Sequence, residues 1–289
     1  MIELLETSPV FFAVAAGLLG LVVGSFLNVV IVRLPVMMER EWKSECSVLL
    51  GTAQDTEPAE VFNLMVPRSR CPSCAHQITA LENIPILSYL VLGGKCRGCS
   101  APISIRYPLI ESLSGLAAVV VAMHFGFGAA AACALALSWA LIALAAIDVD
   151  TQLLPDAITQ PLLWAGLLAN CFGVFVGLAD AVFGAIFGYL ALWIVFWGFK
   201  LATGKDGMGY GDFKLLALLG AWLGWQVLPV IVVISSVVGA CFGVALMVFW
   251  SHDRSKPIPF GPYLAVAGWI ALLWGDEIAG RFLYGSGPL

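Results

Sequence analysis

Long apolar runs alternate with short polar ones along most of the chain. A bilayer core requires about 20 apolar residues per helix, and eight segments reach or approach that length. They run over Phe11–Val32, Ile110–Phe127, Ala129–Ile147, Ala157–Val176, Ala181–Phe199, Leu215–Trp225, Val227–Trp250 and Phe260–Trp274. The sixth is short and a brief polar turn divides the third from the fourth, so seven or nine spans are alternatives. The pattern predicts an all-α polytopic membrane protein with about eight transmembrane helices.

The composition supports a membrane protein. Apolar residues make up 61% of the 289 and charged residues 11%, whereas soluble domains have about 45–50% and about 25%. A large soluble core would still need a charged surface, and 14 basic and 19 acidic residues are too few to supply it. We expect no signal peptide, because the first residues contain Glu3 and Glu6 and no basic residue.

Basic residues test the predicted topology, because they concentrate in cytoplasmic loops. With eight spans and the N-terminus outside, the inner segments are 33–109, 148–156, 200–214 and 251–258. These segments hold 13 of the 14 basic residues, and only Arg281 falls outside. The distribution predicts that residues 33–109, 148–156 and 200–214 face the cytoplasm, and the candidate functional residues lie in these segments.

Residues 33–109 form the only long polar stretch, and two cysteine pairs lie within it. Cys71-Pro-Ser-Cys74 and Cys96-Arg-Gly-Cys99 are separated by 21 residues, close to the spacing of zinc ribbons. Four thiolates close a tetrahedron around Zn²⁺ and leave no open position, which favours a structural metal over a redox role. We therefore predict a small cytoplasmic zinc-ribbon-like domain between helices 1 and 2.

An acidic stretch precedes the cysteines. Residues 39–60 contain six acidic residues against Arg40 and Lys43; the acids are Glu39, Glu41, Glu45, Asp55, Glu57 and Glu60. Such a stretch is most often a solvated linker. A second interpretation makes it a docking surface for a basic peptide.

Two aspartates stand out at the ends of apolar segments. Asp148 ends the third segment, and Asp212 follows a glycine-rich turn that opens the sixth. Ionisable groups at membrane depth are costly and are therefore candidates for function. Two carboxyl groups in one site share a proton, which suits hydrolysis of a peptide bond by an attacking water. The pair titrates as a unit, so neither residue is assigned a fixed acid or base role.

Other interpretations of the acids remain open at this point. Asp156 and Asp212 suit the caps of helix N-termini, although Asp148 lies at the wrong end of a helix for that role. Transporters also bury acids beside broken, glycine-rich helices. The chemistry of these residues alone leaves protease and transporter equally favoured.

Motifs along the whole chain resemble one family of bacterial enzymes. Tyr210-Gly211-Asp212 after Gly209 fits the GxGD motif of intramembrane aspartyl proteases, and Asp148 followed by Leu154-Pro155-Asp156 resembles the first aspartate motif of type IV prepilin peptidases. Further matching motifs are Gly24–Ile31, Arg33–Pro35, Asn83–Tyr89 between the cysteine pairs, and Arg106–Glu111. These N-terminal motifs and the zinc ribbon argue against the preflagellin and signal-peptide peptidase branches.

The resemblance implies a bifunctional enzyme of the bacterial inner membrane, with a periplasmic N-terminus. Such enzymes cleave the basic leader of type IV prepilins and type II secretion pseudopilins at the cytoplasmic face. They then N-methylate the new N-terminal residue with S-adenosylmethionine. By the family motif Asp148 and Asp212 are the catalytic pair, and Asp150 is excluded as one step past it.

The resemblance also implies a division of the chain. The first transmembrane helix is expected over 1–34, a zinc-binding domain associated with N-methylation over 35–109, and the membrane-embedded protease domain over 110–289. Gly94 and Lys95, beside Cys96, are candidates for the methyl-transfer site, although an ordinary knuckle turn would also use glycine. The expected partners are prepilins, pseudopilins and the lipid bilayer, and no nucleic acid.

Overall fold

The computed structural model describes residues 2–51, 61–205, 207–249 and 259–284. The regular elements among these residues are helices, and there is no strand. The α-helices in these ranges are α1 Ile2–Thr7, α2 Pro9–Leu49, α3 Leu87–Val91, α4 Arg106–Phe125, α5 Ala129–Thr151, α6 Asp156–Cys171, α7 Leu178–Thr203, α8 Tyr210–Leu223, α9 Leu228–Phe249 and α10 Gly261–Tyr284. A 3₁₀ turn lies at Leu81–Asn83. The all-α prediction is confirmed.

The count of eight spans is not confirmed. Five described helices are long and apolar enough to cross a membrane: Pro9–Leu49, Arg106–Phe125, Ala129–Thr151, Leu178–Thr203 and Leu228–Ala245. A shorter apolar stretch runs over Gly261–Gly275 in α10. The helices α6 and α8 have 16 and 14 residues, or about 24 and 21 Å at 1.5 Å per residue. Both are shorter than a hydrocarbon core of about 30 Å.

The chain divides into two compact units, Met1–Gly126 and Phe127–Leu289. In the first unit α2 packs along α4. An added Cβ at Gly24 would come within 2.7 Å of Glu111 Cα, so only glycine permits this approach of the two backbones. Polar side chains bridge the same interface: Ser114 Oγ donates to Gly20 O at 2.5 Å, and Asn28 Nδ2 to Tyr107 O at 3.1 Å. The predicted boundaries at 34 and 109 stay a prediction.

The helix α2 continues beyond the predicted end of the first span. It has 41 residues and passes through Pro35 to Leu49. Arg33 Nη1 donates to Asn63 O at 2.9 Å, and the guanidinium of Arg40 lies 4.2 Å from the centre of the Phe62 ring. These contacts hold the returning chain against the polar part of the helix. Residues 39–49 are therefore helical rather than a linker, and 52–60, with the other three acids, lie outside the described residues.

The second unit is built around α8, which contacts α6, α7 and α10. Side chains from Asp212 to Leu223 are buried along almost its whole length. Trp222 Nε1 donates to Leu162 O of α6 at 2.8 Å. Asn170, at the end of α6, donates to the carbonyls of Ala221 and Trp222 at 2.9 and 3.0 Å and accepts two backbone N–H bonds. These hydrogen bonds fix the C-terminal end of a short helix that is enclosed on several sides.

The approach of α7 to α8 depends on two glycines that face each other. An added Cβ on Gly184 or on Gly220 would overlap the backbone of the other residue. We expect Gly184→Ala to lower the free energy of unfolding by about 1–3 kcal/mol, the usual cost of overpacking. Thermal unfolding in detergent micelles measures the change. Gly198→Ala on the same helix is the control, because nothing lies within 4 Å of its added Cβ; an equal loss in both variants would contradict this account.

Candidate functional site

Asp148 lies in the last turn of α5, where the helix reaches a polar boundary. The backbone leaves the helix at Gln152, whose φ is +56° and whose N–H bonds to Asp148 O at 2.9 Å. The Asp148 side chain is only 5% exposed. Its Oδ2 accepts a hydrogen bond of 2.9 Å from Gly261 N–H, and an added Cβ on Gly261 would come within 2.6 Å of that oxygen. Only glycine allows the first turn of α10 to approach this carboxyl group so closely.

Asp212 lies in the first turn of α8 and is 7% exposed. Gly209 precedes the helix in an extended conformation, and its carbonyl accepts the N–H of Asp212 at 3.3 Å. The helix N-terminus carries a partial positive charge, which favours a carboxylate at this position. The favourable position at a helix N-terminus, which was one interpretation of the sequence, therefore explains part of the placement of Asp212.

The two aspartates meet in one site of the second unit. The carboxyl groups of Asp148 and Asp212 are close enough to interact electrostatically. Leu154 packs between the helix starts beside the two acids. Its Cβ lies 2.8 Å from an added Cβ on Gly211, and its Cδ2 lies 3.3 Å from one on Gly261. The structure therefore brings together two buried acids that are 64 positions apart in the sequence.

The neighbouring acids lie outside this pair. Asp150 is exposed and lies two residues beyond Asp148. Asp156 opens α6 and forms a two-pronged ion pair with Lys214, whose Nζ lies 2.7 Å from both carboxylate oxygens. Its side chain is 57% exposed, and such surface pairs contribute about 0–1 kcal/mol. Asp150 and Asp156 therefore do not belong to the buried pair.

The four cysteines of the two CxxC pairs form one cluster in the first unit. Their sulfurs all lie within 4.8 Å of one another; Cys71 Sγ is 3.8 Å from Cys99 Sγ, and Cys74 Sγ is 3.9 Å from Cys96 Sγ. Bonds of about 2.3 Å to a tetrahedral zinc place sulfurs about 3.8 Å apart. The cluster can therefore hold a metal ion of that size.

Each cysteine pair lies in the same kind of turn. Ala75 N–H bonds to Cys71 O, and Ser100 N–H to Cys96 O, both at 2.9 Å. Ala75 and Ser100 both have φ of +57°. In the first turn the backbone N–H groups of Ser73 and Cys74 hold the pKa of the Cys71 thiol below its usual range. At Cys71 these donors favour the thiolate, which is the form of cysteine that binds metals.

Glu82 is a half-buried partner of this region that the sequence reasoning missed. It accepts hydrogen bonds from Thr79 N at 2.9 Å and Thr79 Oγ1 at 3.0 Å, which hold its pKa below the usual range. His76 Nε2 lies 3.3 Å from the same carboxylate, and Arg97 Nη1 lies 3.7 Å away. The signal was the spacing of Thr79 and Glu82, which is that of a capping box.

Gly94 and Lys95 lie in the turn that leads into the second knuckle. Gly94 has a φ of +68°, and an added Cβ would lie 3.0 Å from the Tyr89 ring. Its carbonyl accepts Ile103 N–H at 2.7 Å. Lys95 is exposed. The backbone of this turn requires glycine, whereas a role in methyl transfer stays a prediction.

Glu111 is a buried acid of the first unit that the sequence reasoning named only as part of a motif. It lies in the second turn of α4, is 8% exposed, and its Oε2 accepts Ile86 N–H at 2.8 Å. Ile86 has a φ of +60°, which is rare for a β-branched residue. The signal was an acid inside an apolar helix. Glu111 fixes the start of α3 to the end of a candidate span.

Comparison with known proteins identifies the family. Residues 18–125 match the bacterial peptidase A24 N-terminal domain, and residues 135–244 match the type IV leader peptidase family. The chain belongs to the type IV leader peptidase family. It is therefore an integral membrane protein, in agreement with its apolar helices.

Curated relatives cover nearly the whole chain. Three are named prepilin leader peptidase/N-methyltransferase. The protein of Aeromonas hydrophila is 57% identical over 98% of both chains, that of Pseudomonas aeruginosa 55% over 99% of both, and that of Dichelobacter nodosus 50% over 98% of both. No solved structure matches the chain. The expected family is confirmed, and the match spans both units.

Proposed function

We propose that this protein cleaves the leader peptide from type IV prepilins and type II secretion pseudopilins and then N-methylates the new N-terminal residue. The observation that carries the peptidase half is the pair of buried, electrostatically coupled carboxyl groups of Asp148 and Asp212. Membership of the type IV leader peptidase family supports the same reaction. A transporter would also bury acids, but the family matches of this chain give no support for a transporter.

Asp148 and Asp212 are the proposed catalytic residues. Two buried carboxyl groups that share one site hold one proton between them. The ionised group removes a proton from the attacking water, and the protonated group donates to the carbonyl oxygen or to the departing amine. The Gly261 N–H fixes one oxygen of Asp148 throughout. The exchange is symmetric, so the pair acts as one acid–base unit.

The methyl-transfer half is assigned to the first unit. S-adenosylmethionine supplies an activated methyl group, and the new α-amino nitrogen must lose a proton to accept it. Gly94 and Lys95 are the proposed contacts of the methyl donor. The exposed ammonium of Lys95 suits a carboxylate, and Gly94 lets the backbone come close to a ligand. The printed names of the relatives support the activity.

The metal proposed for the four cysteines is Zn²⁺. Four thiolates fill a tetrahedral coordination shell, so Cys71, Cys74, Cys96 and Cys99 would hold a structural ion and leave no place for a substrate. A soluble segment this small gains stability from such a link. The sulfur separations of 3.8 and 3.9 Å support this choice.

The proposed location is the bacterial inner membrane, with the N-terminus in the periplasm and the aspartates facing the cytoplasm. The distribution of basic residues supports this orientation. Of these residues Arg254 and Lys256 lie outside the described ranges. The proposed substrates carry a basic leader followed by an apolar helix, so their cleavage point lies at the membrane boundary.

The polar part of α2 is proposed to attract the basic leader. Glu39, Glu41 and Glu45 are exposed on it. Residues 39–49 hold these three acids against Arg40 and Lys43, a net charge of −1. Lys43 forms an ion pair of 2.6 Å with Glu39. Charges of opposite sign speed encounter and weaken with salt.

The catalytic assignment predicts loss of cleavage in either aspartate variant. Asp148→Asn and Asp212→Asn should each lower kcat at least about a thousandfold, because both members of an acid–base unit are needed. Cleavage of a purified prepilin, followed by mass spectrometry of the product, measures this. Asp150→Asn is the matched control and should keep activity. Persistent cleavage in both single variants would refute the pair.

The metal assignment predicts about one zinc per purified chain, as a four-thiolate site requires. Elemental analysis by mass spectrometry measures the content. Cys71→Ser should lose the zinc, whereas Cys46→Ser, an exposed cysteine on α2, should keep it. Wild-type protein that is folded and free of metal would contradict the assignment.

The acidic surface predicts a salt-dependent KM. Replacing Glu39, Glu41 and Glu45 by glutamine should raise the KM for prepilin at low ionic strength, and the difference should shrink at about 1 M salt. Glu3→Gln with Glu6→Gln, near the other end of the long helix, serves as the control. An unchanged KM at low salt would rule out docking by this surface.

A further inference from the structure

A cleft of about 450 Å³ lies in the second unit between α7, α9 and the start of α10. The sequence motifs gave no sign of it. Its described lining residues carry no charge, and include Leu192 and Val195 of α7, Met208, Ser236 of α9, and Phe260 and Tyr263. A cleft of this size and character binds apolar groups.

The cleft ends beside both loops that hold the catalytic aspartates. Phe260 immediately precedes Gly261, which donates its N–H to Asp148. Met208 immediately precedes Gly209, whose carbonyl accepts the N–H of Asp212. A chain lying in the cleft would therefore present its end to the two carboxyl groups.

The walls of the cleft determine what kind of ligand it accepts. Both α7 and α9 are long and apolar enough to cross a membrane. A peptide at that depth must satisfy its own backbone groups, which a helix does. On α9 the lining residues Ser236 and Ala240 lie one helical turn apart and have small side chains, which lets a second helix approach closely. Gly239 beside them packs against the Tyr263 ring of α10. The side chain of Val195 is 60% exposed at the edge.

We propose that this cleft binds the apolar helical segment that follows the scissile bond of the substrate. The proposal rests on the proposed function, because it takes the substrate to be a leader joined to an apolar helix. The occupant is a peptide helix rather than a lipid chain. The cleft leads to the turns beside the two aspartates, and small side chains line its α9 side. The site thereby selects substrates by the segment that stays after cleavage.

Kinetics on two substrates test the site. Ser236→Phe fills the cleft and should raise the KM for full-length prepilin at least about tenfold, the loss expected for one large apolar contact. The same variant should cleave a short peptide that spans the scissile bond but lacks the apolar segment with the wild-type kcat/KM. Val238→Phe, exposed on the same helix away from the lining residues, should change neither value.

The possible results separate the proposed cleft from the proposed function. An unchanged KM for prepilin in Ser236→Phe, or an equal rise in Val238→Phe, would overturn the proposed site. Wild-type protein that cleaves neither substrate would instead overturn the proposed function, and the cleft would then be tested by binding alone.

Photocrosslinking supplies that binding test in protein that does not cleave. A benzophenone amino acid in place of Val195, in the Asp148→Asn background, should form adducts with the apolar segment of prepilin in vesicles. The same group at Val238 should give phospholipid adducts only. Phospholipid adducts alone at Val195 would show that lipid fills the cleft and would overturn the proposal.

Discussion

The architecture of the second unit depends on the burial of two carboxyl groups in an apolar protein. A buried carboxylate must receive hydrogen bonds or share a proton. Here the backbone supplies the donor, through Gly261 N–H to Asp148, and the position of Asp212 in the first turn of α8 supplies a favourable dipole. The hydrogen bond to Asp148 needs the backbone to come so close that only glycine fits at position 261. Gly261 is therefore needed for the chemistry of the site as well as for the fold.

The short helix α8 follows from the same requirement. An acid at the start of a full-length span would lie at the membrane surface in contact with water. A helix of 14 residues enclosed by α6, α7 and α10 keeps its N-terminus inside the protein. The facing glycines 184 and 220 and the four bonds of Asn170 hold it there. Packing against protein replaces the contact with lipid that a longer helix would have.

Much of this could be predicted from the sequence, because apolar runs and motif spacings are local. Each of the eight apolar segments coincides with a helix, and the two CxxC pairs meet as expected. Three features could not be predicted. The helix α2 continues through charged residues to Leu49, and no apolar run predicts this extension. Gly261 reaches Asp148 across 113 positions, and Glu111 bonds to Ile86 across 25. Such pairings depend on tertiary packing.

The unbroken course of α2 has a mechanical consequence. At 1.5 Å per residue the helical part beyond Arg33 is about 24 Å long. Because it is continuous with a span, a change of about 10° in the tilt of that span would move the acidic tip about 4 Å. Arg33 and Arg40 attach the returning chain around Phe62 to the same helix. Bilayer thickness, which influences helix tilt, would thereby change the position of the polar end of α2.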